Sequence, residues 1–422
     1  MNRTRVRITP TRSFLSSSFR FAALACALAS AACVDRDPVE VGSGLPEGLV
    51  VVSSDYKSTV VSLLDPITGA VTRDDCINSG STDPQLSLAL SGDVDLPSQP
   101  NSDHDVLLID RQNSALAWID PATCAPRQQM AVGTGFKANP RDVIVLSATK
   151  AYVTRYGANP TPTAEPGDFD EGDDLLIVNP STQTVVGRID MAPFAPPVDG
   201  APLPARPDRA VLAAGKVFVT LGATSADFMT TGPGRVAVID PTKDVVTGVI
   251  ELPELKSCSA MSWLPAHKTL YVVCGGDFGA AAQQDTAGIA VIDVAAPMPV
   301  VTSVLRASAF GGRPFSLGGV AALSPTLGFA VTSGVFGGSP KDQLWSFDAV
   351  AGTATKVLDG SDSFTLGRIV ADAGLKRAFV ADANKDLPVV QVVDASDPVA
   401  LKIQGVEPNP SSHLPPRQIA WY

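Results

Sequence analysis

Five arginines recur at one kind of place in this chain. Arg141, Arg368 and Arg417 stand just ahead of similar apolar segments, and Arg206 and Arg313 lie near the corresponding segments of other repeats. A guanidinium stays charged and offers five donors in a planar fork. Several of them facing one point would hold a carboxylate, a phosphate or an acidic peptide. The competing arrangement spends each arginine locally, on a carboxylate such as Asp142 or Asp372. A second cluster is acidic: residues 165–174 (EPGDFDEGDD) hold six carboxylates. Asp168, Asp170 and Asp173 would offer the hard oxygen ligands that suit Ca²⁺. The run lacks the ligand order of a calcium hand, so a solvated loop is the plain alternative.

The remaining chemistry is thin. Three histidines, His104, His267 and His413, fall in separate segments. There is no G-x-S-x-G elbow, no C-x-x-C and no Cys/His cluster of zinc type. No catalytic residue is identified, and no cofactor is implied apart from calcium at the acidic run. Cys258 and Cys274 flank a segment turning near Ala266, and 258 + 274 = 2 × 266. They therefore face each other across two paired strands, at a separation close to disulfide range. Cys76 and Cys124 are left over, and whether they pair stays open.

The elements that carry these residues repeat. A short apolar run ends in Asp or Asn and a turn at Asp65, Asp120, Asn179, Asp240, Asp293, Asp348 and Asp394. The Asp side chain accepts turn N–H groups, and the Pro that follows several of them pre-sets φ. Upstream lie strand-like segments such as AYVT (151–154), VFVT (217–220), LYVV (270–273), FAVT (329–332) and AFVA (378–381). A third element precedes most of these, as in RDVIVLS from Arg141 and RIVADA from Arg368. Four antiparallel strands per repeat cannot bury both faces alone, but a ring of such units can. The chain's end, PRQIAWY, matches the third element that the first repeat lacks. The sequence therefore predicts an all-β, seven-bladed β-propeller of four-stranded antiparallel blades, closed by the C-terminal strand pairing in the first blade. The long connections, residues 156–172, 190–206, 222–234, 275–288 and 306–318, then gather on one face around the channel mouth. Binding usually resides in such loops.

AYVTRY, VFVTLG and the VID-P-T turns resemble the Tyr-Val-Thr-Asn (YVTN) repeat propellers of bacterial surface and envelope proteins, over residues 46–422. That resemblance implies the propeller fold. It leaves activity open, since seven-bladed relatives include lactonase-like and lyase-like enzymes as well as proteins without known chemistry.

The chain has 422 residues, 45% apolar and 18% charged, enough for a large core. A net charge of −11 argues against nucleic acid and against anionic membrane surfaces. Residues 1–32 read as a signal peptide: Arg3, Arg5, Arg7 and Arg12, no acid, then the apolar run 21–32. The small-residue run ends at Cys33, which resembles a bacterial lipoprotein acylation site; an ordinary cleaved signal is the alternative. Residues 33–46 form a polar tether and 47–422 the propeller. The expected protein is an exported, outer-membrane-attached lipoprotein, periplasmic or at the cell surface, touching membrane only through its lipid and monomeric. It would bind an envelope protein, a glycan or a small anionic ligand at the loop-rich face and channel mouth. The alternative is an exported enzyme of lactonase or lyase type.

Overall fold

The seven Asp/Asn turns set the repeat in the computed structural model, which describes residues 47–422 except 164, 166, 199 and 279. The signal segment and Cys33 lie outside the described residues. At every turn the anchor carboxylate or amide oxygen accepts a backbone N–H two or three residues on. Examples are Asp65 from Ile67 (2.7 Å), Asp348 from Val350 (2.8 Å) and Asn179 from Thr182 (3.3 Å). Each turn joins the third and fourth strands of a four-stranded antiparallel sheet, and among the described residues there are seven such sheets.

The second strand of every blade is buried on both sides, as in Leu49–Ser54 and Lys216–Leu221. Its alternate side chains serve two different neighbours. Val50 and Val52 pack towards blade 2, whereas Leu49 and Val51 pack against Phe379 and Val390 of blade 7. Seven apolar clusters result, one between each adjacent pair of blades.

The last strand, Pro416–Trp421, pairs antiparallel with Leu49–Ser54 and forms the innermost strand of blade 1, with Ile419 opposite Val51. Strands from both ends of the described chain thus share one sheet, which closes the ring. Cys258 and Cys274 are directly opposed and bonded. Cys76 and Cys124 are bonded too, tying the outer strand of blade 1 to the Asp120 turn of blade 2. Two disulfides fit an oxidising, exported location. Among the described residues no helix is long and apolar enough to cross a membrane.

The hairpins joining first and second strands are short in blades 3 to 7, and in blade 1 the two strands come from opposite ends of the described chain. Blade 2 departs. Its inner strand is only Val94–Asp95, and the next strand starts at Val106.

Candidate functional site

That departure builds the centre of the molecule. Residues 96–100 (Leu-Pro-Ser-Gln-Pro) leave blade 2 and run across the channel. Leu96 O accepts from Arg368 Nη1 of blade 7 (2.5 Å) and from Arg209 Nη1 of blade 4 (3.3 Å); Pro97 O accepts from Arg368 Nη2 (2.6 Å). Ser98 donates its N–H (2.8 Å) and hydroxyl (2.5 Å) to Asp142 of blade 3. The Gln99 amide caps the free inner edge of blade 4, accepting from Leu212 N–H (2.7 Å) and donating to Leu212 O (3.1 Å). The segment is a plug, fastened to the adjacent blade 3 and, across the channel, to blades 4 and 7.

The charged groups around it share one register. Val143, Ala210, Met261, Val320 and Ile369 pair with equivalent positions of their second strands. The residue just before each is Asp142, Arg209, Ala260, Gly319 or Arg368, and blade 2 contributes Asp95 opposite Ile109. Blades 2, 3, 4 and 7 therefore give a charged arc, and blades 5 and 6 a neutral arc of small residues. Arg209 Nη2 binds Asp95 at 2.7 Å, and Arg368 Nη1 stands 3.7 Å from the same carboxylate. Burial pushes Asp95 up, but Arg209 and Arg368 outweigh it and hold it down at about 2. Asp142 goes the other way: its burial dominates the pull of both guanidiniums, and its carboxyl is pushed up.

The five predicted arginines do not converge on one point. Arg368 is in the channel. Arg141 and Arg417 match each other but precede the ring position by one residue, because the inner strands bulge there. A one-residue shift turns a side chain to a different face. Arg141 lies over the Tyr156 ring at 4.6 Å, its Nε buried without a partner. Arg206 donates to Thr224 O (2.9 Å) and Tyr156 O (3.2 Å), and faces the rings of Tyr156 and Phe228 at 5.0 and 5.3 Å. Arg417 donates to Phe364 O (3.1 Å) and Ser54 O (3.3 Å) and sits over Tyr56 at 5.1 Å. Arg313 donates to Ser333 O. The local carboxylates expected as alternative partners take none of these bonds. Main-chain carbonyls and aromatic faces take them instead. Arg209 was not anticipated. Its signal is the DRAVLA segment, where Asp208-Arg209 occupies the two places of Arg141-Asp142 with the charges in reverse order, so that the arginine stands one place later.

The rim thus sets an arginine against an exposed aromatic at two places, Arg206 at Phe228 and Arg417 at Tyr56. Tyr56, Phe228 and Phe364 occupy loop tips with φ of 67°, 62° and 59°, and Phe336 is 84% exposed. Phe336 and Phe364 lie 6.2 Å apart. Phe278 is exposed on the same face. Exposed apolar groups on the opposite face, such as Ile67, Val350 and Val399, are aliphatic and stand singly at the Asp turns.

The acidic run is spent locally. Asp168 accepts from the Thr163 hydroxyl (2.9 Å), Asp170 from Thr163 N–H (2.8 Å), and Asp173 from the N–H groups of Arg206 (2.6 Å) and Ala205 (2.9 Å). Asp174 takes both forks of the fully buried Arg155, at 2.7 and 2.6 Å. Among the described residues no group of three or more His, Cys, Asp or Glu is placed to hold a metal ion. His104, His267 and His413 stay apart: a blade 2 loop, a hairpin turn, and the loop entering the last strand.

No family model matches the chain, and no curated protein matches it. Solved structures do. A candidate 6-phosphogluconolactonase from Bacteroides uniformis ATCC 8492 aligns with a TM-score of 0.55 at 13% identity, covering 89% of this chain and 100% of that one. A second candidate 6-phosphogluconolactonase, from Bacteroides fragilis NCTC 9343, gives 0.54 at 11% identity over 89% and 98%. A hypothetical selenium-binding protein from Sulfolobus tokodaii gives 0.56 at 10% identity over 92% and 97%. At these identities the likeness is one of fold.

Proposed function

We propose that this propeller is a binding or scaffold protein of the bacterial cell envelope, held there by a lipid on Cys33, and that its loop-rich face meets an envelope protein or glycan. One observation carries the reading. Large aromatic side chains stand in water at loop tips whose left-handed backbone costs about 1–2 kcal/mol per residue. Guanidiniums hold Tyr56 and Phe228 from beneath, and nothing in the fold is gained by exposing them. Backbone strain combined with apolar exposure is the mark of a surface kept for a partner. Sugar rings stack on such platforms, and so do apolar side chains of proteins.

The test uses the purified protein with two probes, isolated peptidoglycan and outer-membrane vesicles. Tyr56→Gly with Phe336→Ser and Phe364→Gly should weaken retention at least about tenfold, the loss expected when two or three anchors of a contact patch go. Glycine suits the positive φ at 56 and 364, so the variant stays folded. Val350→Ser with Val399→Ser on the opposite face should change nothing. Equal retention by all forms would overturn the reading. Cys33→Ser should shift the protein from the membrane to the soluble fraction. Hydrolysis of a lactone, lost on changing a channel residue, would establish the enzyme alternative instead.

A further inference from the structure

The plug does not fill the channel. It leans on the charged arc and leaves a crevice of about 170 Å³ against the neutral arc. Ala260 and Gly318 make the room; Val211, Met261, Val320 and the Trp263 ring form an apolar wall, opposite the polar Ser98 and Gln99 of the plug. The crevice runs from the two guanidiniums towards the Asp-turn ends of the inner strands, where Ala371 and Trp421 line it. It is thus distinct from the loop tips described above.

The two arginines at its inner end are not equally served. Arg209 has a hydrogen-bonded carboxylate in Asp95. Arg368 has none: its two Nη atoms go to the carbonyls of Leu96 and Pro97, Asp95 lies beyond hydrogen-bond reach at 3.7 Å, and its Nε makes no hydrogen bond. A buried cation whose hydrogen bonds go only to two main-chain carbonyls, and whose nearest carboxylate stands at 3.7 Å and is bonded to another arginine, is left partly neutralised, and an anion at its Nε would complete it. The Ser262 oxygen accepts from Ala322 N–H, which leaves its own proton free to donate at the crevice wall.

We infer that this crevice binds a small apolar monocarboxylate, its carboxylate on Arg368 and its hydrocarbon body between Trp263 and the small residues of blades 5 and 6. One carboxylate matches the one nitrogen of Arg368, Nε, that makes no hydrogen bond. The apolar wall wants a hydrocarbon body, and an apolar cavity of about 150 Å³ takes a benzene ring. A phosphate fits poorly, because it brings more charge than one accessible guanidinium edge answers and no apolar part for the wall. Burial, and after it the neighbouring Arg209, push the Arg368 guanidinium down to about 10. An anion at Nε would reverse that.

The experiment is calorimetric titration of the purified protein with sodium benzoate, and in parallel with benzamide and inorganic phosphate. The crevice holds two of the chain's four tryptophans, Trp263 and Trp421, so tryptophan emission under isovalerate, which absorbs no light there, gives an independent reading. Benzoate should bind saturably, and benzamide at least about tenfold more weakly, since it keeps the ring and loses the charge-assisted bonds. Phosphate should not compete. Arg368→Gln risks releasing the plug, so the deciding variants sit on the neutral arc. Ala260→Leu should fill the crevice and weaken benzoate at least about tenfold. Gly318→Ala should weaken it less. At Gly318 an added Cβ lies 3.6 Å from its nearest neighbour, an ordinary contact, so the fold is kept. No saturable benzoate signal up to about 10 mM, near the floor of specific affinity, would overturn the inference. Benzamide binding as well as benzoate, or undiminished binding by folded Ala260→Leu, would do the same.

Discussion

Two of the places where the molecule buries arginine stand in contrast, and only one of these two is complete. Beneath the acidic loop of blade 3, Arg155 and Asp174 are both fully buried and joined by two bonds; Arg188 adds a third to the same carboxylate at 2.8 Å. The spare Nη1 of Arg155 donates to Thr134 (2.6 Å), and its Nη2 donates also to Phe169 O (2.7 Å). In the channel, Arg209 and Arg368 share one closely placed carboxylate, and carbonyls of the plug and of Arg141 take the rest. The first site is closed on itself and pins the loop that carries Asp168 and Asp170. The second depends on a segment of blade 2 and leaves one guanidinium edge towards an unfilled crevice. A buried ion pair with every guanidinium nitrogen bonded serves geometry; a buried cation short of acceptors is an invitation to a ligand.

The largest effect tests the closed site. Arg155→Met removes one partner and leaves Asp174 buried with Arg188 alone, which should cost about 3–5 kcal/mol. The urea midpoint reports it, and proteolysis within 156–172 should speed up because Thr134 and Phe169 lose their anchor. An unchanged midpoint would mean that the two sites do not differ in kind.

The next effect tests the channel by pH. Asp95 is held at about 2 in the fold, against 3.8 for the free group. A depressed carboxylate contributes stability that is present above the unfolded pKa and lost as pH falls through the folded one. The channel should therefore lose about 2 kcal/mol between roughly pH 4 and pH 2. Asp95→Asn should remove this acid limb and lower stability at neutral pH by a similar amount. A wild-type acid limb that survives the substitution would place the titration elsewhere.

A smaller effect separates plug from clamp. Gln99→Ala keeps both arginines but uncovers the N–H and C=O of Leu212, at a cost of about 1 kcal/mol once water takes their place. The clamp at Asp95 should keep its acid limb in this variant. If the limb disappears too, plug and clamp are one unit.

Much of the ring is written locally. Each anchor Asp needs only its own next three residues to make its turn, so Asp65 to Asp394 were readable one by one. Closure by 416–421 followed from one missing and one surplus copy of the same element. The channel was not readable in that way. Bulges between Pro140 and Asp142, and between Leu366 and Ile369, shift the inner strands by a residue relative to their apolar pattern. An alignment on that pattern therefore puts Arg141 level with Arg368, where the ladder puts Asp142. The plug is invisible to pattern altogether, since Leu96 to Pro100 owe their place to Arg209, Asp142 and Arg368, each many residues away. Its trace in the sequence is negative: blade 2 has no copy of the third element. Cys76 and Cys124 escaped for the same reason, their contact lying between blades and not within one.

The smallest effect lies where the plug returns to blade 2, at Asp105. Burial pushes this carboxyl up, Arg127 at 3.1 Å pulls it down, and Asp103 and Asp120 push it up again, leaving it at about 6. The sign is opposite to that of Asp95. A carboxyl raised in the fold favours the folded state while protonated, and that benefit is full below the unfolded pKa of 3.8 and gone once pH passes the folded value. Stability should therefore decline slightly from pH 4 to pH 6, a window clear of the Asp95 limb. Asp105→Asn should match the wild type below pH 4, exceed it above pH 6, and show no slope between. Because the side chain faces Arg127, itself half exposed, solvent screens the pair and keeps the difference small. Urea midpoints of both proteins across that range decide it. A slope retained by the asparagine variant would assign the titration to another group and leave Asp105 as an ordinary partner of Arg127.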